Sequence, residues 1–419
     1  MAPGSDVTVP ARLDTPRIRG LYTTLSPTVS HLDGGYDVLM PESVIRAIGA
    51  SLRSSPAQPG STSPGSRWST AAADAARVAV ADLVGGDGAR VALAATLPEL
   101  LRLTAWRLSR SWQLGDEIVL TRLDHDRNVA PWVAAARSTG VTVRVAEVDV
   151  ETGELPAWQY ADLLGPHTRL VVVPVAGPVT GAVVPIRAIA DAAHAVGALV
   201  VADATSALPH VPLDLDQLGL DGIALSLAGI GGPSMGALAA SGALWQSLLD
   251  GRRRAATGLS RSALADVGPL PVEVLAGVPA IVDHLASLAD PDDPDQVTGT
   301  RRARVAASLA AVAATEQTLY ARLVAGLEAM PGVTVIRSDG PRIPVLGLAI
   351  AGRSPEVVGE ELLARGISVW TGATGVEAYL GTLGVDEIGG VSVVGLMPYT
   401  SAWDVNRVLL ALAEYTAAA

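Results

Sequence analysis

An imidazole and a carboxylate are the groups in this chain best placed to do chemistry. His125 sits in Asp124-His125-Asp126-Arg127-Asn128, and Asp203 closes the apolar run Ala198-Leu199-Val200-Val201-Ala202-Asp203. An imidazole moves protons near neutral pH. A carboxylate at the end of a buried strand needs a partner or takes up a proton. Two groups whose environments separate their pKa values can serve as acid and base, so His125 and Asp203 are the candidate catalytic residues. Each has a structural alternative: a packed imidazole, and a carboxylate that accepts N–H groups from the turn after it. Arg67, Trp68, Arg127, His210, Tyr36 and Trp370 are the candidate substrate-binding residues. A guanidinium takes a carboxylate or phosphate through two parallel hydrogen bonds. For Arg127 the competing role is to cap the next helix or meet solvent, for His210 it is structural, and for the aromatic residues it is the core.

Composition removes other chemistries. The 419 residues contain no Cys, no Phe and no Lys, and all 30 basic residues are Arg. Without Cys there is no disulfide, thiolate nucleophile or Cys-based metal site. Without Lys no side-chain amine can form a Schiff base, in this chain or in a second copy of it, and Arg stays protonated. Only Asp124-His125-Asp126 groups His with carboxylates, a spacing that matches no standard metal site, so no metal is expected. Ser226 and Ser206 lack the Gly-x-Ser-x-Gly elbow of a hydrolase. The net charge of −12 argues against nucleic acid. Arg252-Arg253-Arg254 and Arg301-Arg302 read as solvated surface. No run is long and apolar enough for a membrane span, and the N-terminus has no basic and apolar signal-peptide pattern, so a cytoplasmic protein is expected.

The elements that must position these residues follow from hydrophobic patterning. Residues 1–30 read as a loose N-terminal arm. Helices are expected at 41–53 and 69–84, separated by a Pro/Gly/Ser-rich loop at 54–67. Strands at 91–93, 117–121, 141–146, 170–175 and 198–203 alternate with helices at 97–113, 129–139, 156–163 and 186–196. Continuous apolar strands separated by helices predict an α/β domain with a mostly parallel sheet. Ligands of such sheets bind beyond the strand C-termini, which would gather 124–128, 176–178 and Asp203 at one cleft. An acidic linker at 289–295 marks the boundary between a large domain, 31–288, and a small α+β domain, 289–419. The small domain is predicted to hold a long helix at 299–329, strands at 333–337, 344–350, 367–371 and 391–396, and helices at 354–365 and 402–417.

From about residue 30 to 415 the chain resembles the class V aminotransferase family of pyridoxal 5′-phosphate (PLP) enzymes, within it the cysteine desulfurase-like and isopenicillin-N-epimerase-like branch. The segment 121–132 is similar to the one whose His stacks on the pyridine ring, which implies that role for His125. The strand ending at Asp203 resembles the one whose Asp pairs with the pyridinium nitrogen. Residues 148–155 and 366–370 also look family-like. The resemblance implies the PLP-transferase type I fold and a dimer whose loop around Arg67 reaches the facing subunit.

The departures bear on function. In Leu225-Ser226-Leu227-Ala228-Gly229-Ile230-Gly231-Gly232-Pro233, Gly229 falls where the family's Schiff-base lysine would be. Pro98 falls near a phosphate hydroxyl, Pro178 near an Asn that contacts the ring oxygen, Val393 near the Arg that grips substrate carboxylate, and Pro269 near a Thr from the facing subunit. These losses lead to an expectation of no cofactor. Three readings stay open: a PLP-independent enzyme doing lyase, isomerase or cyclase chemistry on a small metabolite; a non-catalytic pseudoenzyme, or partner of a lysine-bearing paralogue; and a PLP or pyridoxamine phosphate enzyme that never bonds its cofactor to lysine. A homodimer is expected, or a heterodimer with a paralogue, with no nucleic acid or membrane partner.

Overall fold

The computed structural model describes residues 13–249, 266, 268–291, 296–385 and 389–417. The strands, in chain order, are β1 Ser30–His31, β2 Val91–Ala94, β3 Glu117–Thr121, β4 Thr142–Ala146, β5 Thr168–Pro174, β6 Leu199–Asp203, β7 Gly222–Ser226, β8 Gly236–Ala240, β9 Val333–Ile336, β10 Val345–Ile350, β11 Ile367–Ser368, β12 Trp370–Gly372 and β13 Val391–Gly395. Seven of them form the large sheet, in the order β2-β8-β7-β6-β5-β3-β4. Strands β3 to β7 run parallel, while β8 is antiparallel to both its neighbours, β2 and β7. The predicted, mostly parallel α/β architecture is therefore the one observed.

Side-chain alternation explains why the sheet needs helices on both faces. Val119, Val171, Val173, Val200, Ala202, Ile223 and Leu225 enter one buried cluster. Their neighbours Ile118, Leu120, Leu170, Val172, Val201 and Ala224 enter a second cluster on the opposite face. A period of two along strands buried on both sides places successive side chains in different cores. Because β3, β5, β6 and β7 are parallel, their C-terminal ends share one edge, and that edge carries the site.

The smaller lobe is a four-stranded antiparallel sheet, β12-β13-β10-β9. Its own core includes Leu323, Leu346, Leu348, Val394, Val405 and Val408. The helices Arg301–Glu328, Pro355–Ala364 and Ala402–Ala417 contribute to that core. The single strand expected at 367–371 breaks at Val369, since β11 pairs in parallel with β1 while β12 pairs with β13.

Three further expectations change. The loop 54–67 is shorter, because a helix begins at Pro64, with the Ser63 side chain accepting from Ser66 N. A Ser N-cap followed by Pro in the first turn is a strong start signal. Residues 13–30 are packed and are no loose arm: Arg17 donates to Leu288 O at 2.7 Å and Arg19 to Asp404 Oδ2 at 2.9 Å, while residues 1–12 lie outside the described part. Arg301 and Arg302 are engaged rather than solvated. Arg301 reaches Asp82 at 2.7 Å, and Arg302 reaches Leu83 O and Asp214, each at 3.0 Å. The triplet 252–254 and most of the acidic linker lie outside the described residues. Among the described residues, no helix is long and apolar enough to cross a membrane.

Candidate active site

A cleft of about 410 Å³ opens beyond the C-terminal edge of the large sheet. Its lining includes Thr96, Pro98, Asp124, His125, Arg127, Asn128, Pro178, Asp203, Thr205, Ser206, Ser226 and Tyr36. The two candidate catalytic residues, His125 and Asp203, are thus brought together.

Asp203 ends β6 and is 6% exposed. Its Oδ2 accepts from Asn128 Nδ2 at 2.6 Å and its Oδ1 from Thr205 N at 2.6 Å. Asn128 is positioned by the helix Asp126–Thr139, which begins where the chain leaves β3. The same amide nitrogen lies 3.2 Å from Asp124 Oδ1, which also accepts from His125 N at 2.7 Å. Asp124 Oδ2 is buried without a partner. Burial pushes both carboxyls up, Asp203 to about 6 and Asp124 to about 8, where the charge of Asp203 adds to the effect of burial. Among the described residues, neither carboxylate forms an ion pair. The cleft floor is therefore a clamped pair of acids with room for a cationic group.

His125 is the N-cap of the same helix, and its Nδ1 accepts from Arg127 N at 3.3 Å. That contact favours the tautomer with the proton on Nε2. Burial, helped by the nearby Arg127 charge, holds the imidazole below its ordinary pKa. The small lobe closes over it. Gly375 has a φ of +82°, and a Cβ there would fall 2.0 Å from His125 Cε1, so the backbone itself lies against the ring. Asp126 N donates to Gly375 O at 2.8 Å, and Gly375 N donates to Glu377 Oε2 at 2.8 Å.

One wall is aromatic. Tyr36 stacks on Trp370 with centroids 4.2 Å apart and an interplanar angle of 14°, and its hydroxyl donates to Pro178 O at 3.4 Å. Trp370 thus supports the wall from behind Tyr36. Arg127 is exposed at the mouth and is the only guanidinium among the lining residues described.

Other expected site residues lie elsewhere. Arg67 is exposed and donates to Thr62 O at 2.7 Å; neither it nor Trp68 lines the cleft of its own chain. His210 is buried in a pair with Glu316, at 2.8 Å, on the helix Arg301–Glu328. Val393 is fully buried in β13, paired with Gly347 and Trp370, and faces the core. Gly229 lies in the turn Leu227–Ile230 beside Thr205. Pro98 and Pro178 do line the cleft. The sequence places Asp124 and Asn128 at the cleft without a role there, and does not single out Thr205. The signals available were the four-residue spacing of Asp124 and Asn128, and a hydroxyl two residues after a strand-ending Asp.

This fold and cleft define a class. The family model for class-V aminotransferases matches residues 33–285, and the chain belongs to that family. It is 35% identical over 403 residues to an uncharacterized protein of Mycobacterium tuberculosis, covering 96% of this chain and 99% of that one. It is 32% identical over 327 residues to a probable cysteine desulfurase of Mycolicibacterium paratuberculosis, covering 76% of this chain but only 45% of the relative's length. A solved cysteine desulfurase of Escherichia coli shares the fold with a TM-score of 0.80 at 22% identity, over 97% of this chain and 98% of that one.

Membership overturns the expectation of no cofactor. The matching aminotransferases and cysteine desulfurases are PLP enzymes, so the relatives point to PLP. The residues present fit most of that group. Asp203 is a buried carboxylate without a cationic partner, suited to a protonated ring nitrogen. Thr96, at the N-cap of the helix Leu97–Ser109, and Ser226 are hydroxyls on the same cleft, suited to a phosphate. Pro98 and Pro178 have no N–H to offer a phosphate or a ring oxygen, and these two hydroxyls stand on the same cleft in their place. Covalent attachment alone has no group to serve it, since the chain has no Lys.

Proposed function

We propose that this chain holds PLP, or its amine form, in the cleft without a covalent bond, and carries out proton-transfer chemistry there on a small anionic metabolite. The observation that supports this best is Asp203: buried, clamped by Asn128, without a counter-cation, at the floor of a cleft lined with hydroxyls. When bound, PLP supplies an electron-withdrawing ring that lowers the cost of removing a proton next to an amine nitrogen.

The chain's own residues would act as follows. Asp203 keeps the ring nitrogen protonated, and Asn128 fixes Asp203. Thr96 and Ser226 bind the phosphate oxygens. His125 donates its Nε2–H to the metabolite as a hydrogen bond, and takes up a proton at Nδ1 when that atom releases the Arg127 N–H. Arg127 draws the metabolite's anionic group to the mouth. The loop around Gly375 excludes water over His125. The absence of Cys removes any thiolate from the chemistry, which turns the reading away from sulfur transfer and toward lyase or isomerase reactions. Arg67 and Trp68 would serve the cleft of a second copy in a homodimer.

The test is a titration of the purified protein with PLP, followed by absorbance and by equilibrium dialysis. Saturable binding that weakens in Asp203→Ala and in a Thr96→Val/Ser226→Ala double variant is expected. A wild-type protein with no saturable PLP or pyridoxamine phosphate binding would sink the proposal.

A further inference from the structure

Gly229 is flanked by one side chain that leaves it no room for a Cβ. An ideal Cβ on Gly229 would meet Thr205 Cγ2 at 2.7 Å, whereas the next nearest atom, Thr205 O, is 3.6 Å away at ordinary contact distance. The backbone of Gly229 is outside the left-handed region, so nothing but space forbids a side chain there. Thr205 cannot turn its methyl aside freely. It is β-branched and stiff at χ1, and its Oγ1 accepts from Ser226 N at 3.0 Å. Its own N donates to Asp203 Oδ1 at 2.6 Å. Rotating the methyl out of the way moves the hydroxyl off the N–H of Ser226, which ends β7 at the cleft. Thr205 thus ties β6, β7 and the turn after β7 together, and its methyl fills the space that a residue at 229 would use.

We infer that Thr205 closes position 229 to any side chain, so that the cleft is built for a PLP-type ligand that enters and leaves freely and is never tethered by the chain. This rests on the proposed reading of the cleft and goes beyond it. The missing lysine is then one half of a coupled pair of residues, and restoring lysine alone does not restore attachment. Thr205→Ser is the informative change, because it deletes the methyl and keeps the hydroxyl on Ser226 N.

Thermal melts of Gly229→Ala, Thr205→Ser and the double variant, all without ligand, test the packing. Gly229→Ala in the wild-type background is expected to lower Tm by about 1–3 °C, and in the Thr205→Ser background by much less, a non-additivity that reports direct contact. Equal losses in both backgrounds would overturn the inference. The second measurement treats Gly229→Lys and Gly229→Lys/Thr205→Ser with PLP and borohydride and reads intact mass. A reduced adduct at the introduced lysine in the double variant, several-fold above the single variant, is expected. Adduct formation as complete in Gly229→Lys alone would also overturn it. If the melts show coupling while the wild type binds no PLP, the proposed function fails and the closure of position 229 stands.

Discussion

Asn128 Nδ2 lies 2.6 Å from Asp203 Oδ2, a contact across 75 residues of chain that locks the start of one helix to the end of β6. The same nitrogen reaches Asp124 Oδ1, so a single amide holds two buried acids in register. Asn128→Leu removes that donor and leaves Asp203 only the N–H and the hydroxyl of Thr205. We expect a loss of about 1–3 kcal/mol in stability, read by urea unfolding, with PLP affinity falling in parallel. Unchanged affinity in a folded variant would remove Asn128 from the site.

The raised carboxyls make stability depend on pH in a defined direction. Unfolded, Asp124 titrates near 3.8; folded, burial and the charge of Asp203 hold its proton to about 8. A folded pKa above the unfolded one gives stability that is full below the unfolded value and lost as pH rises to the folded value. Asp124→Asn has no proton to lose. Its Tm should gain on the wild type steadily from about pH 4 to about pH 8 and run parallel above that. Curves parallel throughout would show that Asp124 does not titrate in this window.

His210 and Glu316 predict a purely structural effect. Their side chains are 1% and 2% exposed, and burial raises the Glu316 pKa while His210 opposes that shift. Removing one partner strands the other in the core, so His210→Ala should cost about 3–5 kcal/mol, measured by chemical denaturation, without altering PLP affinity below the unfolding transition.

Arg127→Ala separates binding from folding. The side chain is exposed at the cleft mouth, so stability should move by no more than about 0.5 kcal/mol. Half-saturation for carboxylate- or phosphate-bearing ligands should rise several-fold at low salt, and the difference should shrink as salt screens the charge. Equal loss for neutral ligands would assign Arg127 another role.

His125 should set the acid limb of any activity. A base must be neutral to accept a proton, burial keeps this imidazole neutral below its ordinary range, and Nδ1 is the atom that accepts once it releases the Arg127 N–H. The rate–pH profile should therefore hold to lower pH than an unperturbed His allows, and His125→Gln should abolish that limb along with most of the rate.

The alternation of apolar strands and helices was readable in the chain because period-two burial and helix periodicity are local signals. So was the gathering of His125 and Asp203, since parallel strands end on one edge. Helix starts were less legible: the one at Pro64 lay inside a stretch whose composition reads as loop.

By itself, the sequence determined the absence of Lys and Cys, and with it the impossibility of tethering a cofactor through a side-chain amine or using a thiolate. These are facts of composition that no folding can alter. Tertiary structure alone decided which way side chains face. Val393 went to the core, His210 to Glu316, and Arg301 and Arg302 to the aspartates of the large lobe. It also set the methyl of Thr205 against Gly229. Such pairings depend on contacts between residues far apart in the chain, and their energies come from burial and close packing that local spacing does not encode.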